Sequence, residues 1–521
     1  MSIQALLFDT RSIQKYIFSC NRLKTNIGAS YIVDHVFEEV LLKKILPDPA
    51  FGFSSIDMTS WKTKSQPLTE LPADCYVAYI GGGNALILFK KQKNDSRKAI
   101  VTAFTKELLV QYPGLKTGAA MGDMDLSSKE AFHKSRAQLY RTLKENQNTV
   151  FPQVNVPYTG LTLDCEVNGE AANFYDDQHL IVKEGPGRFF SQEVRAKTAA
   201  AETANRHLQD LFADHLAGYS FPTELDRLGQ RESESDIAII HIDGNQMGKR
   251  FSECQTLMEQ GQLSYKVRKD TERAFAALLD TIIEEYDSYR AFLDLEEGLL
   301  PIRPLILGGD DITFICPARL ALTYTERFMK ALQSSFSSCA GIAILPTAYP
   351  FFRGYTLSEQ ACDAAKAQSR NQTDSCWLDF VILHGEQAPE LEQIRQEEYR
   401  GALGNMHFGP YRVDDDHEEH ALVKLLDCAK AFMATKNSKD KNTSEAIPMN
   451  KVKELRFVAQ QGRGDIQIYL EQLRHLNLRL PHIPGWERFE SSVWDRKQGA
   501  VEAQTPYVDA IEIMDYVPIQ S

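Results

Sequence analysis

Three aspartates offer the plainest chemistry in this sequence. Asp243 ends the apolar run DIAIIHID (236–243), and Asp310 and Asp311 stand together in LILGGDDITFICP (305–317). If run and hairpin are neighbouring strands, three carboxylates converge at one end of a sheet. Like charges that close repel and shift one another's pKa. A divalent cation relieves the repulsion, and an oxygen-only donor set suits Mg2+ or Mn2+, with two ions expected. Such ions can activate a 3′-hydroxyl and stabilise an α-phosphate with its leaving pyrophosphate. Around Asp243 the sequence reads HIDGNQMGKRF, where Gly244 and Gly248 let backbone N–H groups approach a phosphate. Gly308 and Gly309, at the hairpin tip, are counted with these nucleotide-contacting residues. Lys366 and Arg370 lie four apart on one predicted helix face and can neutralise β- and γ-phosphates. Together these are the parts of nucleotidyl transfer.

Each part also has an ordinary reading. Gly-Gly-Asp-Asp makes a good hairpin turn. Asp243 can be a strand-ending cap, and two cations on a helix are usually a solvated face. Their joint occurrence, in order on one frame, favours a site.

That frame is legible in the periodicity. After DIAIIHID comes an amphipathic helix (263–286), the hairpin, a helix (318–336), a strand (339–347), a helix (356–370) opened by Ser358 as N-cap, and a strand (376–383). The order β-α-β-β-α-β is the split βαβ pattern of a ferredoxin-like domain. The N-terminus repeats it: a strand (3–9) ending in Asp9, a helical stretch (12–46) interrupted near Gly28, a hairpin (74–89) with the tip Gly-Gly-Gly-Asn, a helix, a strand (116–122) and a helix (127–144). The alignment pairs Asp9 with Asp243, the tip at 81–84 with that at 308–311, and Lys134 and Arg136 with Lys366 and Arg370, so an internal duplication is expected. The first tip lacks the carboxylate pair, which leaves that copy a supporting role. The fold class expected is α+β: two ferredoxin-like domains at 1–149 and 236–390, a partly helical linker at 150–235 and a helical C-terminal domain at 391–521. The acidic stretch 413–420 and the polar loop 434–448 read as solvated surface.

Bulk properties narrow the classes. A chain of 521 residues is too long for one core. A net charge of −13 argues against a sequence-independent nucleic-acid clamp. Nine cysteines form no CxxC pair, and several lie in apolar runs, which fits reduced thiols in a cytoplasmic protein rather than disulfides or closed zinc sites. No signal peptide or membrane span is expected. There is no Walker loop, nucleophile elbow or Rossmann fingerprint.

The stretches FDTRSIQKYIF…NIGAS (8–30), HIDGNQMGKRF (241–251), LGGDDITF (307–314) and AGIAI…AKAQSR (340–370) resemble the polymerase/cyclase subunit of type III CRISPR effector complexes. More remotely they are similar to GGDEF diguanylate cyclases and class III nucleotide cyclases. The resemblance covers 1–390, and the helical C-terminus loosely. It implies two palm domains with nucleotides bound between them, the second holding the metals, and ATP joined into a cyclic oligoadenylate messenger. It implies Asp243, Asp310 and Asp311 as metal ligands, Gly244, Asn245 and Lys366 as donor-triphosphate contacts, and Gly28-Ala29-Ser30 as lining the first palm's pocket, with Ser30 its site residue. The family's HD nuclease is expected to be absent, since the palm begins at residue 3. Its zinc-binding insertion is eroded: LDCEVNGEA (163–171) keeps Cys165 without partner cysteines. The resulting expectation is a stand-alone antiviral-defence enzyme making a cyclic oligonucleotide from nucleoside triphosphates, ATP foremost. RNA and subunits of a defence complex are open as partners, and oligomeric state is not legible. The alternatives are a non-catalytic nucleotide-binding scaffold and a single-nucleotide cyclase.

Overall fold

The computed structural model describes residues 2–63, 68, 70–91, 95–149, 163–182, 185–230, 235–370, 372, 374–385, 390–437, 447–496 and 502–518. Most of the polar loop at 434–448 and the start of the linker at 150 therefore lie outside the described residues. The chain forms two compact units. One comprises Met1–Glu224, Gln246–Arg273 and Leu305–Ile312; the other comprises Leu225–Asn245, Ala274–Pro304 and Thr313–Ser521.

The first unit is built on a five-stranded sheet. Its elements run β1 (Ser2–Arg11), α1 (Leu23–Val36), β2 (Cys75–Gly81), β3 (Asn84–Phe89), α2 (Arg97–Gln111), β4 (Lys116–Asp125) and α3 (Lys129–Thr149). In the sheet the order is Ile56–Asp57, β2, β3, β1, β4, with β1 antiparallel to both of its neighbours. This is the ferredoxin-like order that the β-α-β-β-α-β reading anticipates. The expected break at Gly28 is displaced. A short helix ends at Ile17, α1 begins at Leu23, and Gly28 lies inside it. The reason is a close crossing with α4 (Gln192–Leu211): a Cβ at Gly28 would stand 1.7 Å from the Lys197 carbonyl oxygen. The break itself is tied by the buried Lys197 ammonium, which donates to the Tyr16 carbonyl at 2.6 Å and to Ser19 Oγ at 2.8 Å. In the linker, Cys165 packs with Cys20, Ile181, Phe190 and Val194, so the remnant cysteine is part of a small apolar core.

The second copy supplies β5 (Asp236–Gly244), α5 (Leu257–Glu284), β6 (Arg303–Gly308), β7 (Asp311–Pro317), α6 (Ala321–Gln333), β8 (Ser338–Pro346), α7 (Phe351–Ser369) and β9 (Trp377–Ile382). Its six-stranded sheet has the order Tyr411–Arg412, β9, β8, β5, β7, β6. The runs IAIIH and CAGIAIL are buried throughout, as strands covered on both faces must be. α7 starts at Phe351, directly after Pro350, and not at Ser358. Ser358 is buried mid-helix with its hydroxyl donating to the Tyr355 carbonyl, so it is no cap. Gly341 of β8 lies against α7, where an added Cβ would stand 1.9 Å from the Ser358 carbonyl oxygen and 2.3 Å from the Cys362 nitrogen. Both are backbone atoms. Gly341→Ala is therefore expected to leave little or no cooperatively folded second copy, read as loss of the thermal transition, whereas Gly248→Ala, which opens onto free space, melts as the parent does.

Beyond β9 come α8 (Leu391–Glu398), α9 (Leu422–Asn437), α10 (Met449–Gln460), α11 (Arg463–His475) and α12 (Tyr507–Ile513). All nine cysteines are free and buried. No described helix is long and apolar enough to cross a membrane.

Candidate functional site

β5 carries Asp243 next to its end: the side chains from Ile237 to Ile242 are buried, His241 among them, and Asp243 is the first beyond them to be partly exposed. There Asp243 forms an ion pair with Lys366 from the last turns of α7, the two side chains being 25% and 26% exposed. That degree of exposure leaves the pair reachable from solvent while weakening the competition from water. Burial works to lower the Lys366 pKa. The bond to Asp243 and the neighbouring acidic groups outweigh it, and the net shift is upward. Arg370, one turn on, is exposed at the helix end. Gly244 pairs with Ser338 of β8 in the ladder.

Asn245 differs from its expected part. Its amide nitrogen lies 2.9 Å from the Ser375 carbonyl oxygen, 3.2 Å from Ser369 Oγ and 3.3 Å from Ser337 Oγ, and its backbone N–H donates to the Ser337 carbonyl at 2.9 Å. A primary amide has two donor hydrogens, and three protein acceptors already surround them. The amide nitrogen is thus engaged by protein oxygens. Gly248 is exposed in the short helix that follows.

The Gly308–Asp311 tip is a two-residue turn. Gly309 takes φ +87°, while Asp310 is not among the left-handed residues. One positive φ at the first central position is the II′ pattern, which needs glycine only there. In the first copy both Gly82 and Gly83 are left-handed, at +57° and +75°. That I′ pattern needs glycine or a similar residue at both positions. The change of turn type frees position 310 for an aspartate. Thr271 of α5 donates to the Gly309 carbonyl and pins the tip. Asp310 and Asp311 are both half-buried.

The first copy shows what the same frame does without a carboxylate pair. Asp9 stands opposite Asn84 in the β1–β3 register. Gln147 near the end of α3 donates to Asp9 at 2.6 Å, and Arg11 donates to the Gln147 carbonyl at 2.8 Å. Burial raises the Asp9 pKa, against the lowering effect of the Gln147 bond and of Arg11. A neutral amide thus occupies the place that Lys366 takes in the second copy. The alignment of Lys134 and Arg136 with Lys366 and Arg370 is corrected by this geometry. Arg136 is spent on the Phe251 and Ser252 carbonyls and the Gln260 side chain. Gln147 escaped the sequence reading because a lone glutamine near a helix end carries no motif. Its one signal was its distance beyond the strand, close to that of Lys366.

Ser30 donates its hydroxyl to the Leu305 carbonyl, and Gly28 serves the α1–α4 crossing. Among the described residues, no three His, Cys, Asp or Glu side chains come together as a ready metal cage.

Residues 236–374 match the sequence model of the Cas10/Cmr2 family's second palm domain. This stretch is therefore similar to a Cas10/Cmr2 second palm domain. Solved structures agree on the fold. A Csm1–Csm4 cassette in complex with cA4 superposes at a TM-score of 0.55 and 13% identity, over 99% of this chain and 69% of that one. The cassette with pppApApA gives 0.52 at 12% identity over the same shares. The apo cassette gives 0.50 at 13%, over 99% and 70%. No curated protein matches the sequence.

Proposed function

We propose that this chain is a metal-dependent nucleotidyltransferase that condenses nucleoside triphosphates, ATP foremost, into a cyclic oligonucleotide messenger used in antiviral defence. The observation that carries the reading is the Gly-Gly-Asp-Asp hairpin on β6–β7, with β7 next in the sheet to the strand ending in Asp243, inside the Cas10/Cmr2 palm match. The Csm1 relatives bound to cA4 and pppApApA support the product class, and their pairing with Csm4 supports work alongside further subunits.

The donor set fits Mg2+ or Mn2+ in kind: Asp243, Asp310 and Asp311 offer hard oxygen ligands and no thiol or imidazole. When bound, the ions would lower the pKa of a 3′-hydroxyl and stabilise charge on the transferring phosphoryl group. The chain's own residues do the rest. Lys366 exchanges Asp243 for phosphate oxygens as a triphosphate arrives, and Arg370 follows one turn along the same face. Gly308 and Gly309 let the tip approach the phosphates without a Cβ in the way.

The test is incubation of the full chain with each of the four triphosphates and Mg2+ or Mn2+. The expected result is pyrophosphate release from ATP and a product whose mass lacks a terminal triphosphate. A second reading, nucleotide binding without turnover, draws on Lys366 being engaged with Asp243. Tight ATP binding by calorimetry with no pyrophosphate under any of these conditions would decide for it.

A further inference from the structure

Asn245 stands two residues beyond the strand-ending aspartate, and its amide faces three acceptors. Two of them, Ser369 Oγ and the Ser375 carbonyl, belong to the end of α7 and the chain just after it. The third, Ser337 Oγ, precedes β8. Ser369 is three residues, nearly one helical turn, beyond Lys366. The amide therefore spans from the end of the Asp243 strand to the last turn of the Lys366 helix. The backbone N–H of Asn245, bound to the Ser337 carbonyl, fixes the same point from the other side.

The first copy does the same with different chemistry. Two residues beyond Asp9 lies Arg11, whose guanidinium donates to the carbonyl of Gln147, the residue that itself donates to Asp9. One residue further on, both copies turn through a left-handed non-glycine: Ser12 at φ +52° and Gln246 at +57°. Such a conformation is strained for an L-residue and persists where the surroundings over-determine it. Two copies with different side chains keep one device: the residue two past the aspartate ties the strand end to the terminal turn of the partnering helix.

We infer that Asn245 is a positioning residue, which holds the α7 end against β5 and thereby seats Lys366 on Asp243. Its place in the reaction rests on the nucleotidyltransferase reading; its positioning of Lys366 does not. The role is distinct from a triphosphate contact, because the amide hydrogens are directed to protein oxygens.

The experiment reads the pair without any nucleotide. The full chain is treated with a limiting amine-acylating reagent, and acylation of Lys366 is quantified by peptide mass spectrometry, with exposed Lys430 as the internal standard. Asn245→Ala is expected to raise Lys366 labelling about fivefold, the scale on which losing a partly exposed ion pair frees its lysine, with Lys430 unchanged. Val452→Ala, in α10 of the same unit, controls for general loosening and should lower the melting temperature without changing Lys366 labelling. If Asn245→Ala does not fold, Ser369→Ala removes one acceptor only and should give a smaller rise of the same kind. Parent-like Lys366 labelling in a folded Asn245→Ala, or in Ser369→Ala where the former does not fold, overturns the inference. A chain that releases no pyrophosphate yet shows the labelling rise loses the proposed activity and keeps the positioning role.

Discussion

Changing Asp310 and Asp311 together to alanine should cut pyrophosphate release from ATP by at least about a hundredfold, the scale on which losing one preorganised charge-stabilising group acts. The fold should not suffer. The left-handed position of the turn is Gly309, which the variant keeps, and position 310 has no need of glycine. The Thr271 bond goes to the Gly309 backbone and is also kept. The turn geometry is thus retained, and a cooperative thermal transition should remain. Activity and stability thus move independently, and a loss of activity cannot be read as unfolding. Paired measurements of initial rate and thermal midpoint check this. Parent-like pyrophosphate release by the folded double variant would end the assignment of the chemistry to this hairpin. Changing Asp9 to asparagine should leave the rate within about twofold, since Asp9 is already engaged by Gln147 and its tip has no carboxylate pair.

The frame was legible because its strands obey one rule. Runs such as IAIIHI and YVAYI are apolar without alternation, which a strand covered on both faces requires, and glycine-rich tips divide them. Helix ends were less legible. Ser358 has the composition of a cap, yet tertiary packing extends α7 back to Phe351 and buries the serine. Gly28 looked like a break because glycine is a poor helix former, and it proved to be the point where a second helix crosses. The candidate site was half legible. Asp243, Asp310 and Asp311 stand out as charge at the ends of apolar strands. Asn245 and Gln147 do not, because an amide's role depends on which oxygens surround it, and those come from segments far away in sequence.

A second group invisible to motif reading is the buried cluster around His407, and it should govern stability at alkaline pH. His407 Nε2 lies 2.8 Å from Asp379 of β9, and Nδ1 lies 3.0 Å from Asp509 of α12. Both carboxylates are fully buried. Asp509 also accepts from the Phe408 N–H at 2.8 Å, the Gly409 N–H at 3.2 Å and the Tyr411 hydroxyl. Arg395 donates to Asp379 and lies 3.1 Å from the same imidazole nitrogen, a like-charge contact that opposes protonation. The rings of Phe380 and Tyr399 close the remaining sides. An imidazole with a carboxylate at each nitrogen must donate from both, and so is an imidazolium. Two anions and two cations then balance. Burial pulls the His407 pKa down, Asp509 and Asp379 push it up, and the outcome is a rise to about 9.

A folded pKa above the unfolded value of 6.5 gives a contribution fully present below 6.5 and lost as pH climbs through about 9. Its size is on the order of 3 kcal/mol. Asp379, held low in the fold against the upward push of burial by Arg395 and His407, acts in the opposite sense and matters only in acid. Urea unfolding of the second unit's transition at pH 6, 7.5 and 9.5 should therefore show a falling midpoint. His407→Gln can satisfy one carboxylate and leaves the other buried without a counter-charge, at a loss of about 3–5 kcal/mol. Its alkaline fall should be clearly shallower than the parent's, because the His407 contribution is gone while buried thiols such as Cys339 and Cys376, pushed up by burial, still favour the unfolded chain near pH 9. A parent protein whose midpoint does not move between pH 6 and 9.5, or a His407→Gln variant whose fall is as steep as the parent's, would show that another group controls this limb.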